Sequence, residues 1–237
     1  GVAKDHVEAV KWYRKGADQN LAEAQYNLGG CYATGQGVAT NYVEAVKWYR
    51  TAAEQNYAKA QNLLGGCYAT GQGVAKDYLE AYKWYLLAAA QGDELAKTVT
   101  AKLEAQLTRA QIAEGQKLAD DFKPSEIPPF LAPPSVADGN PLADLRAKAA
   151  TGDAQAQNEL GEAFYVGKRG VSRNPVEAVK WFRQAANQNH PVAQSNLGVC
   201  YERGDGVQSM RWWPTSGTCW RRRKATTKRS AMRPCSS

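Results

Sequence analysis

Between residues 22 and 54 the chain carries two successive helical wheels, each with one apolar stripe. In the first, Ala24, Leu28, Cys31, Tyr32 and Gly35 fall three and four apart, and the small residues among them predict close helix contact. In the second, Ala45, Trp48, Tyr49 and Ala52 do the same. Gly35 and Gly37 stand between them, and Gly71 and Gly73 recur further on; such pairs supply the positive φ that ends one helix and turns into the next. Each helix of the second kind opens on an Asx residue with Glu three positions later: Asp5 with Glu8, Asn41 with Glu44, Asp77 with Glu80, and Asn174 with Glu177 after Pro175. That spacing predicts a reciprocal capping box, in which the Glu side chain reaches back to the cap.

The two wheels repeat. "GVATNYVEAVKWYRTAAEQN" (37–56) and "GVAKDYLEAYKWYLLAAAQG" (73–92) stand 36 residues apart, with further copies at 1–20 and 170–189. The other phrase, "AEAQYNLGGCYATGQ" (22–36), returns at 58–72, 154–168 and 192–206. One such helical hairpin cannot bury both of its faces, so copies must stack, which predicts an all-α, right-handed α-α superhelix. The phrases "AEAQYNLGGCYATGQGV" and "EAVKWYRTAAEQ" closely resemble Sel1-like repeats, relatives of the tetratricopeptide repeats. The resemblance covers roughly 1–96 and 142–208.

The period breaks in the middle. Residues 97–122 predict capping helices with a polar outer side, and 123–141, holding six of the ten prolines, predict an extended linker. The reading is thus two short arrays, 1–96 and 142–208, whose mutual packing the sequence leaves open. Because the chain begins at Gly1 in mid-phrase, it reads as a fragment; the compartment stays open between periplasm, secretion and cytoplasm.

Net charge of +7 first suggests nucleic acid, but eight basic and no acidic residues lie in 209–237, so residues 1–208 sum to −1. The same segment breaks the repeat. Trp follows each turn Val by ten positions (Val38 to Trp48, Val74 to Trp84, Val171 to Trp181), yet none follows Val207 at that spacing. Restoring one nucleotide near the codons of Gln208 and Ser209 gives, in the other frame, a near copy of residues 75–104. Residues 209–237 therefore read as a frameshifted, irregular tail whose Trp212, Trp213, Trp220 and arginines say nothing about nucleic acid.

Chemistry is sparse. His6 and His190 read as solvated surface residues. Cys31, Cys67 and Cys200 share one repeat position and read as small core residues, since equivalent positions lie roughly 10 Å apart and no C-x-x-C pair occurs. No catalytic, metal or cofactor site is expected, and no apolar run is long enough to span a membrane. What remains is binding of a protein or peptide by a monomer. The surface opposite Leu28 varies from copy to copy while the buried columns hardly change, which places candidate contacts on the concave face at Tyr26, Asn62, Asn158, Glu162, Tyr165 and Arg203. The family resemblance implies a bacterial-type scaffold or adaptor, and it keeps open an envelope β-lactam-binding or hydrolysing alternative.

Overall fold

The computed structural model describes residues 4–125 and 142–207, and all eleven elements among them are α-helices. Residues 126–141 of the linker expected at 123–141, and the tail expected at 209–237, lie outside the described residues. The helices are α1 (His6–Asp18), α2 (Ala22–Thr34), α3 (Tyr42–Glu54), α4 (Ala58–Thr70), α5 (Tyr78–Ala90), α6 (Glu94–Glu104), α7 (Arg109–Asp120), α8 (Leu142–Ala150), α9 (Ala154–Val166), α10 (Pro175–Asn187) and α11 (Pro191–Arg203). We call α2, α4, α9 and α11, which carry the A-x-x-L-G phrase, A helices, and α1, α3, α5 and α10, which carry E-A-x-K-W, B helices.

Each A helix meets a B helix through the same three contacts. The N–H groups of Asn41, Asp77 and Asn174 donate to the carbonyls of Tyr32, Tyr68 and Phe164 at 2.9, 3.0 and 2.7 Å. A ring lies flat over a glycine: Tyr49 over Gly29 and Phe182 over Gly161 sit 2.7 and 2.6 Å from where a Cβ would stand. The glutamine capping the C-terminus of the B helix donates to a buried glutamine of the A helix: Gln55 to Gln25 at 2.7 Å, Gln91 to Gln61 at 2.7 Å, and Gln188 to Gln157 at 2.8 Å. Each buried A-helix glutamine in turn donates to a backbone carbonyl eight residues earlier, so neither amide is orphaned.

The same contacts join α11 to α1, at opposite ends of the described chain. Asp5 N–H donates to Tyr201 O at 3.0 Å, Tyr13 lies over Gly198 at 2.5 Å, and Gln19 donates to Gln194 at 2.6 Å. Trp12 completes the joint by entering the core built from Ala178, Val179, Phe182 and Leu197. The two arrays therefore form one stack with its sequence order permuted: α8, α9, α10, α11, then α1 to α6. Among the described residues the phrase at 4–18 follows no A helix in sequence and the A helix at 191–203 is followed by no B helix; each packs where the other's partner would stand.

The ends of the stack are closed differently. Helix α7 folds back on α5, where Gly115 would place a Cβ 2.5 Å from the Tyr82 ring, and Phe122 meets Trp84 edge-on at 5.6 Å. The cap begins at Glu94, slightly earlier than the pattern predicts. At the other end stands the short α8.

The capping boxes differ from expectation. Asp5, Asn41, Asp77 and Asn174 do accept from the N–H three residues on, but their own N–H groups are already committed to the preceding A helix (Asp5 to Tyr201). With nothing to reach back to, Glu8, Glu80 and Glu177 pair instead with Lys11, Lys83 and Lys180 at 2.9, 3.4 and 2.8 Å. Among the described helices, the complete box occurs in α7, between Thr108 and Gln111.

His190 is half-buried rather than solvated. It caps α11, its Nδ1 accepting from Ala193 N–H at 3.2 Å, while Nε2 faces Gln155 Oε1 at 2.9 Å and so must carry the proton. Burial holds its pKa below the ordinary value of 6.5, so below that pH the unfolded chain binds more protons than the folded one. Stability should accordingly fall as the pH drops from about 6.5 through the lower folded value. Urea titrations at pH 7 and pH 5 should show this loss reduced in His190→Asn, which keeps a cap that does not titrate; an undiminished loss would remove His190 as its source.

Candidate binding groove between α9 and α11

Docking of α11 beside α9 brings side chains from residues 159–200 around one cavity of about 390 Å³. Its lining includes Ala163, Phe182 and Cys200, which are buried, and Tyr165, Val166 and Val199, which are partly to largely exposed. Polar lining comes from Glu159, Glu162 and Asn196 and from Lys168 and Arg169. Phe182 is held in place because Gly161 admits its ring, so the glycine that lets α9 and α10 approach also shapes this cavity.

Of the candidate contacts read from the wheel, Glu162 and Tyr165 line the cavity directly. Asn158 stands behind them, only 3% exposed. Its Nδ2 donates to Glu162 Oε1 at 2.8 Å, and its Oδ1 accepts from Asn196 Nδ2 at 3.1 Å. Asn196 reaches the same Glu162 oxygen at 3.3 Å, so two neutral amides fix one carboxylate. The Tyr165 hydroxyl donates to Asp205 at 2.9 Å and accepts from Arg203 at 3.4 Å, while Arg173 pairs with Asp205 at 3.8 Å.

Tyr26 and Asn62 lie elsewhere. Tyr26 is half-buried against Tyr57 and Tyr49, with ring centroids 5.5 and 6.2 Å away, and Asn62 donates to Asp93 at 2.9 Å. Both fasten neighbouring layers of the stack. Their wheel position leans toward the next B helix, and in α11 the equivalent Ser195 is buried altogether. The wheel missed Asn196, one position round from that column, and Asp205, which lies in the turn beyond α11.

Among the described residues the cysteines Cys31, Cys67 and Cys200 are free thiols. Burial pushes Cys31 and Cys200 up to about 12, and Cys67 also upward, so they stay protonated, the reverse of what a nucleophile or metal ligand needs. Among the described residues, no group of three or more His, Cys, Asp or Glu side chains is placed to hold a metal ion. None of the described helices is long and apolar enough to cross a membrane.

A family model described as Sel1 repeat matches residues 1–21, 22–57, 58–93, 154–190 and 191–209. The two short matches, at 1–21 and 191–209, contain the helices α1 and α11 that the structure places side by side. Over 62 residues the chain is 36% identical to the ERAD-associated E3 ubiquitin-protein ligase component HRD3A of Arabidopsis thaliana; the match takes in 26% of this chain and 9% of that protein. Among solved structures, it is similar to a Sel1 repeat protein from Oxalobacter formigenes at 33% identity and a TM-score of 0.42, covering 84% of this chain and 71% of that one. It is also similar to a protective antigen present in uropathogenic Escherichia coli strains that displays an SLR fold, at 29% identity and a TM-score of 0.38, covering 84% and 53%.

Proposed function

Because the chain belongs to the Sel1 repeat family, whose members generally mediate protein–protein interaction, we propose that it is a non-catalytic scaffold that binds a peptide or protein segment in the groove between α9 and α11. The observation that carries this reading is the cavity of about 390 Å³ with an apolar floor and a few converging polar groups, the usual make-up of a recognition pocket. Its rigid parts are helices. Phe182 and Leu160 are locked in the core, and Asn158 and Asn196 orient Glu162, so little ordering is left to oppose binding.

Selection of a displayed random dodecapeptide library on the full chain tests the proposal. Val166, on the cavity wall and 53% exposed, can be enlarged without disturbing the core. Val166→Trp should weaken the selected peptides at least tenfold in fluorescence anisotropy, about 1.4 kcal/mol or more. Val43→Trp, at a site 65% exposed on a different helix, should leave them unchanged. Equal binding by all three proteins would defeat the groove.

A further inference from the structure

Resting on that reading, we infer that the α9–α11 groove selects a peptide whose apolar anchor residue is flanked by a cationic one, Lys or Arg, seated on Glu162. The carboxylates around the groove differ in how they are satisfied. Glu159 pairs with Arg169 at 3.6 Å and Asp205 with Arg173 at 3.8 Å, while Glu202 accepts from the Tyr13 hydroxyl at 2.6 Å. Glu162 has no cation within ion-pair distance among the described residues. Its partners are the amides of Asn158 and Asn196.

Amides orient a carboxylate without neutralising it. Both donors converge on Oε1, so Oε2 is left with no partner among the described residues, in an exposed side chain at the edge of the cavity. A carboxylate so directed is suited to a guanidinium or ammonium group, while the apolar floor takes the neighbouring side chain. The rest of the rim restricts where a cation can enter. Arg203 lies about two helical turns beyond Asn196 on α11, and Lys168, which has no ion-pair partner among the described residues, lines the cavity from the turn after α9. Like-charge repulsion there leaves the Glu162 and Asn196 side as the place for a basic residue.

The selected dodecapeptides supply the test once resynthesised with fluorescein. Winners should carry Lys or Arg beside an aliphatic or aromatic residue. Changing that basic residue to Gln should weaken binding to the native chain roughly fivefold at low salt, the scale of a partly exposed ion pair. Against Glu162→Gln the same change should make no difference, with unaltered circular dichroism showing that the fold is kept. Winners without a basic residue, or a basic preference that survives Glu162→Gln, would overturn the inference. If Val166→Trp abolishes binding while no basic preference exists, this inference falls and the groove stands; if Val166→Trp changes nothing, the groove itself is wrong.

Discussion

Tyr13→Ala should lower the unfolding free energy by about 3–5 kcal/mol, the cost of removing a large buried side chain and leaving its cavity. Tyr13 has no measurable exposure and fills the space above Gly198, where α11 has no side chain of its own. The substitution also removes the donor to Glu202, and burial beside that carboxylate raises the phenol's pKa, so in the native chain the phenol remains a donor at any ordinary pH. The loss falls on the joint between α11 and α1, which no short turn bridges. A single denaturation transition should therefore split in two, one for each half of the stack, with Trp12 fluorescence following the first. Tyr13→Phe, which loses only the hydroxyl, should cost about 1 kcal/mol and keep one transition. If Tyr13→Ala costs less than about 1 kcal/mol and unfolding stays concerted, the joint contributes nothing to stability and the description of a continuous stack fails.

Gly37→Ala should rank with it, at about 3 kcal/mol or more. Two effects combine. Gly37 has a φ of 72°, a left-handed conformation that costs any other residue about 1 kcal/mol. An added Cβ would also collide with the backbone carbonyl of His6 and come within 2.8 Å of Val7 N, at the start of the preceding B helix. Gly170 stands at the corresponding turn after α9, has a φ of 80°, and would meet nothing within 4 Å. Gly170→Ala should therefore cost only the backbone share, about 1 kcal/mol. Urea midpoints of the two variants separate conformation from packing, and equal losses would show that the turn glycines serve the backbone alone.

Much of this architecture could be read from periodicity because its contacts are local. The stripe through Ala24, Leu28 and Cys31 is the buried face of α2, and the glycine pairs have the expected positive φ at Gly35, Gly37, Gly71 and Gly73. Periodicity is blind to what is polar and buried, so it does not single out Gln25, Gln61, Gln157 and Gln194, each under 5% exposed, although they run along the middle of the stack. The order of the stack escaped for a different reason: hydropathy carries no information about pairings 189 positions apart, such as Tyr13 with Glu202. Of the outer wheel positions, Glu162 and Tyr165 line the cavity. Tyr26 and Asn62 are half-buried against neighbouring layers of the stack, and Asn196 contributes through its amide rather than through any departure from pattern.

The permutation has a mechanical corollary. Asp5 and Tyr201 touch in the interior of the stack, whereas its two outer layers come from residues near 142–150 and 94–120, far from either end of the described chain. A tether fixed near residue 5 or 207 would leave from the flank, and both outer layers would remain accessible. Force applied between those two points would act at one end of the α1–α11 seam and peel it open from there, parting the two sets of layers while each keeps its own internal contacts.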